Sequence, residues 1–168
     1  YEAGPGFTSV ARPALYLHGG GLRDLLERVL PAAVPVPSDP VLARLRMWKT
    51  PSEVERIRAA CRVAASAFRE GADRLRPGQR ESEAAAGFEG SLAVRGTGCG
   101  GSQRCGGAVT CLSGPNAAGG RSPYARSHSR VIELNETVIV HCAAYADGYW
   151  ADVTRTYCVG APGERERG

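Results

Sequence analysis

The stretch Thr137–Gly160, "TVIVHCAAYADGYWADVTRTYCVG", constrains this chain more than any other. Two runs rich in β-branched and aromatic residues flank Ala146-Asp147-Gly148, and Asp-Gly between such runs signals a tight β-hairpin. A two-residue loop at Ala146-Asp147 sets His141 opposite Asp152; a loop at Asp147-Gly148 sets Ala143 there instead. Side chains alternate along a strand, so both registers leave His141 and Asp152 on one sheet face. A directly opposed pair holds its β-carbons ~5 Å apart, a gap that one ion can bridge. An imidazole nitrogen and a carboxylate together suit Zn, Mn, Fe or Co. A plain hydrogen-bonded His–Asp pair fits the same pattern, as does an ion pair between Asp152 and Arg155. Two donors fall short of a metal centre, which needs one or two more.

Upstream, "KTPSEVERIRAACRVAASAFREGADRLRPG" predicts a long helix. Thr50 can cap it, Pro51 occupies its first position, and Glu53 completes a capping box. Val54, Ile57, Cys61, Ala64, Phe68 and Leu75 recur at helical spacing and predict a buried stripe. Pro77-Gly78 stops the helix. "ESEAAAGFEGSLAVRG" predicts a second one, with Ala84, Ala85, Phe88 and Leu92 inward. "GAVTCLSGPNAA" reads as a short strand running into a turn at Gly114-Pro115-Asn116. Before Lys49, "GGGLRDLLERVLP" predicts a short helix with Leu22, Leu25, Leu26 and Val29 on one face. A proline-punctuated connector follows it.

Composition narrows the class. With 43% hydrophobic and 23% charged residues, the 168-residue chain is ordinary globular protein. The net charge is +4, and the positive charge is almost all arginine, with Lys49 the single lysine. No basic block carries interleaved aromatics, so no nucleic-acid partner is expected. No apolar run approaches the ~20 residues of a membrane span, so no membrane partner is expected either. Both ends read as lying within a longer protein. The six cysteines, without a secretory signal, predict reduced thiols and a cytoplasmic location. Cys99, Cys105 and Cys111 are spaced too widely for a paired zinc motif.

"DGYWADVTRTYCVG" resembles the G-Y-x-x-D-[IVL]-T-R-T motif of the proline-specific pita-bread metallopeptidases, which include aminopeptidase P and prolidase. "LARLRMWKTPSEVERIRAACRVAASAF" resembles that family's first helix, "LRPGQRESEAAAGFE" its second, and "SGPNAA" its first active-site strand and turn. The resemblance covers most of residues 40 to 160. It implies an α+β fold with helices packed on a curved, mainly antiparallel sheet. Residues 1–45 would be the tail of a preceding domain and its linker. Residues 46–168 would be the first half of a pita-bread catalytic domain, with the second half outside the chain.

The same resemblance implies hydrolysis of peptides at Xaa-Pro bonds by the complete protein, with this segment inactive alone. It implies one or two divalent metal ions (Mn, Co or Zn) and a peptide substrate, and it leaves a homodimer open. The family holds its metals with Asp, Asp, His, Glu and Glu. Asp152 matches the second aspartate, with Thr154 and Arg155 behind it as residues that orient the ligands. The first aspartate would stand eleven positions earlier, where this chain has His141. A family histidine that contacts substrate falls on Tyr124, and His128 nearby is a candidate to replace it. The remaining ligands belong to the second half. Two other readings stay open: a non-catalytic binding module that has lost its ligands, and a metal-free, creatinase-like hydrolase.

Overall fold

The computed structural model describes residues 19–34, 36, 38–96, 98, 104–121, 125–161 and 163. They fall into two compact units, one ending at Thr50 and the other beginning at Pro51. The first contains α1 (Gly19–Val29) and α2 (Asp39–Met47). Of the stripe expected on α1, Leu25 and Val29 are exposed and Leu26 is half-buried; the Leu22 side chain lies outside the described residues.

The second unit runs α3 (Pro51–Arg74), α4 (Glu81–Gly96), β1 (Cys105–Ser113), a 3-10 helix (Gly114–Arg121), β2 (Glu136–Ala146) and β3 (Tyr149–Val159). Helix α3 starts at Pro51, whose missing N–H costs nothing at that position. The chain leaves α3 through Gly78, whose φ of 86° is open to glycine. Helix α4 is capped where Glu83 accepts a hydrogen bond from the Arg80 amide at 2.9 Å.

The two helices pack on one face of the sheet. Helix α3 buries Ala59, Ala60, Val63, Ala64, Ala67, Phe68 and Gly71. The buried stripe is thus rotated from the one expected: Cys61 is exposed, and Val54 and Ile57 are only half-buried. The buried stripe is built largely of alanines, Ala59, Ala60, Ala64 and Ala67, small side chains that permit close packing. Helix α4 buries Ala84, Ala85, Phe88 and Leu92 as its periodicity predicts. Phe88 is the keystone. It fills the space over Gly71, where any β-carbon would collide with its ring. It also meets Phe68 edge-on at 5.9 Å and Tyr157 at 6.3 Å, an aromatic geometry worth more than area alone.

The sheet is antiparallel, in the order β1-β2-β3. Asp147 and Gly148 form the hairpin loop with φ of 47° and 86°, the left-handed pair that a type I′ turn requires. The second of the two registers is therefore the one adopted, and Ala143 faces Asp152 while His141 faces Thr154. Toward the helices point Val109 and Cys111 of β1, Val138, Val140, Cys142 and Ala144 of β2, and Ala151 and Val159 of β3, all buried. The outer edge of β1 is closed by side chains. Its Val109, Cys111 and Ser113 amides donate to Glu89 Oε1, Ser127 Oγ and Glu81 Oε1 at 2.7–2.8 Å, which hides a row of donors that would otherwise pair with another strand.

Candidate active site

The other sheet face carries the chemistry. Three cross-strand rows lie side by side on it: Gly106–Tyr145–Trp150, Ala108–Ala143–Asp152 and Thr110–His141–Thr154. A fourth, Leu112–Ile139–Thr156, is roofed by the 3-10 helix. A β-carbon at Gly120 would stand 3.6 Å from Leu112 and 3.7 Å from Ile139. The face is therefore bounded by an aromatic row at the hairpin end and by the 3-10 helix at the other.

Between these bounds His141 and Asp152 meet diagonally. His141 Nδ1 lies 3.4 Å from Asp152 Oδ1, with the imidazole 27% and the carboxylate 67% exposed. Thr154 Oγ1 sits 3.1 Å from the same Nδ1. A carboxylate accepts only, so a proton on Nδ1 serves this contact, and the ring is then left with a lone pair on Nε2. That Nε2 is buried and has no hydrogen-bond partner among the described residues. The 3.4 Å approach is made through Nδ1; a metal would be met instead by the lone pair of Nε2 and by the Asp152 carboxylate. Among the described residues no three His, Cys, Asp or Glu side chains gather as a metal group. The pair fits as part of a donor set and does not complete one.

Other expected site residues divide. Thr154 Oγ1 touches His141 Nδ1. Arg155 stands apart from the pair. It lies on the helix-facing side of β3, with its guanidinium 5.9 Å from the centre of the Phe68 ring and one N–H bonded to the Thr154 carbonyl. Residues three apart on a strand point to opposite faces, so Arg155 cannot pair with Asp152. His128 is exposed and lines a cavity of about 270 Å³ beneath the 3-10 helix, with Leu112, Pro115, Asn116, Gly119, Ala125 and Arg126. Leu112 places that cavity one row beyond His141. Tyr124 lies outside the described residues.

Sequence reasoning missed Glu81. It is completely buried at the start of α4, and its carboxylate is saturated with donors. The Ser113 amide and hydroxyl reach Oε1 at 2.7 and 2.9 Å. Asn116 Nδ2 reaches both oxygens at 3.1 and 3.2 Å, and the His128 amide reaches Oε2 at 3.0 Å. Arg130 adds a bond to the Ser113 hydroxyl at 2.8 Å and forks onto Glu136. That fork holds the Glu136 carboxyl below its usual range, against the opposite pull of burial. One buried acid thus ties the end of β1, the 3-10 helix and the 125–130 segment together, which fixes the cavity wall. The available signal was a Glu at the first turn of a helix, indistinguishable in sequence from an ordinary capping acid.

Burial pushes two thiols up. Cys142 rises to about 12, with the Asp152 and Glu89 charges adding to desolvation. Cys111 also rises to about 12, with Glu81 adding. Both stay protonated and inert at neutral pH, and all five described cysteines are free.

Residues 55–167 match the family model described as metallopeptidase family M24. The chain is 30% identical over 131 residues to an Xaa-Pro dipeptidase of Pyrococcus furiosus, a match covering 77% of this chain and 35% of that protein. It is 29% identical over 126 residues to an Xaa-Pro dipeptidase of Lactobacillus helveticus, covering 75% of this chain and 32% of that one. Among solved structures, the prolidase of Pyrococcus horikoshii superposes with a TM-score of 0.75 at 24% identity, over 90% of this chain and 41% of that one. The chain spans about a third of the length of the curated relatives it matches.

Proposed function

The chain belongs to metallopeptidase family M24, and from that membership we propose that the complete protein hydrolyses peptides at Xaa-Pro bonds. The observation that carries the reading is the convergence of His141 and Asp152 on the open sheet face, 3.4 Å apart, in a chain similar to two Xaa-Pro dipeptidases. We take Asp152 and His141 as two of the donors for one or two divalent ions, Mn, Co or Zn. Such an ion, when bound, lowers the pKa of a water and polarises the scissile carbonyl. Thr154 fixes the His141 ring through Nδ1, which decides the nitrogen left to act. The cavity beside Leu112 receives part of the peptide, with His128 and Arg126 at its rim and Glu81 holding its wall. Donors beyond this chain's described residues complete the centre, so the 168-residue chain alone is expected to be inactive.

A second reading has one specific support. His141 stands where the family's aspartate is expected, and its Nδ1 already contacts Thr154 and Asp152, which favours a metal-free hydrolase or a binding module. Assay of the complete protein on an Xaa-Pro dipeptide, with and without Mn or Co, separates these. Metal-stimulated cleavage supports the peptidase. Metal-independent hydrolysis supports the metal-free enzyme, and absence of cleavage under every condition supports the binding module. We propose a cytoplasmic location; no described helix is long and apolar enough to cross a membrane.

A further inference from the structure

The row Gly106–Tyr145–Trp150 is left partly exposed in this chain. Tyr145 and Trp150 face each other across the hairpin with ring centroids 5.4 Å apart and planes tilted 51°. Tyr145 lies across β1, and Gly106 makes room for it: a β-carbon there would stand 2.8 Å from the phenolic oxygen and 3.0 Å from the ring. Trp150 remains 51% exposed, while the next residue, Ala151, is buried on the helix side of the strand. An indole left half in water beside a flattened tyrosine leaves apolar area uncovered, worth ~25 cal/mol per Å² to whatever covers it.

Its position defines the occupant. Trp150 and Asp152 share a face of β3 and stand two residues apart, about 6.6 Å along the strand. A peptide whose carbonyl sits at the His141–Asp152 pair therefore places an adjoining side chain over the rings. At the opposite bound, the open depression beside Leu112 is lined by residues of the 3-10 helix and of the 125–128 segment. A concave pocket suits the compact proline ring, whereas an open shelf suits a side chain that varies between substrates. The indole face also favours the amino-terminal residue, whose ammonium it attracts.

We propose that Tyr145 and Trp150 form the subsite for the residue preceding proline and give the enzyme a preference for large apolar or aromatic residues there. This rests on the Xaa-Pro reading and assigns a specificity to it. In the complete protein, kcat/KM for Phe-Pro is expected to exceed that for Gly-Pro. The Trp150→Ala variant should lower that ratio about tenfold, the scale on which apolar pockets discriminate, and Trp150→Phe should restore most of it. An unchanged ratio in Trp150→Ala overturns the subsite while leaving the peptidase reading intact. If the wild type cleaves neither dipeptide, the peptidase reading fails and binding alone decides the subsite. Trp48→Phe leaves Trp150 as the sole indole of this chain, with Trp48→Phe/Trp150→Phe as the blank. Titration with phenylalanine amide should quench or blue-shift Trp150 emission at concentrations where glycinamide does not. Equal responses to the two amides overturn the proposal.

Discussion

The two faces of the three-stranded sheet have been built to opposite rules. The helix side of β2 and β1 is Val, Ala and Cys, closed by Phe88 and by the alanine stripe of α3. The other side sets His141, Asp152, Thr154 and Trp150 on the same strands, with a polar pair at the centre and an indole half in water. Period-two alternation makes this possible: adjacent residues of one strand serve stability and chemistry separately. Substitutions on the two faces should therefore differ in kind, with folding lost on one and ligand binding on the other.

The largest effect is expected at the keystone. Phe88→Ala removes a buried ring and leaves a cavity, at a cost of about 3–5 kcal/mol, read as a lowered urea midpoint. A loss under about 1 kcal/mol would mean that the helices do not depend on that contact. Glu81→Ala comes next. It strands the Ser113 and His128 amides and the Asn116 side chain, for about 2–4 kcal/mol. Glu81→Gln should cost less, since an amide oxygen still accepts.

A third difference between the faces is read by pH. Cys111 and Cys142 ionise near 12 when folded, against 9.0 for the free thiol. The unfolded chain therefore releases these protons first. Stability is full below pH 9 and falls as pH rises toward 12, by roughly 1–2 kcal/mol per thiol at pH 10. Replacing both with Ala should flatten the fall between pH 9 and 11. In the native protein at pH 8, an alkylating reagent should take the exposed Cys61 well before either. The smallest stability effect belongs to the open face: Asp152→Ala and Thr154→Val should each shift stability by less than about 0.5 kcal/mol, within the scatter of a thermal melt. A shift of several kcal/mol would make that face structural.

Much of this division was legible in the sequence. The Asp147-Gly148 turn, the alternation around it and the stop at Pro77-Gly78 give the hairpin and the helices, because turn chemistry and periodicity are local. Alternation also puts His141 and Asp152 on one face in either register, and applied to Arg155 it excludes that residue from Asp152. What stayed hidden depends on distant partners. Cys61 and Ala60 are both compatible with the helical stripe, and only packing against the sheet selects Ala60. Glu81 gains its meaning from Ser113, Asn116 and His128, which lie 32 to 47 positions away. The Tyr145–Trp150 shelf requires the register, which the turn left open between two choices.

The most direct test of the division is metal content. The complete protein, its Asp152→Ala variant and its Arg155→Ala variant would be loaded with Mn or Co, desalted and analysed for bound ion. Asp152 is on the open face, and Arg155, three residues on, faces the helices. Loss of bound metal in Asp152→Ala with retention in Arg155→Ala is the predicted result. Equal metal content in Asp152→Ala and the wild type would contradict it.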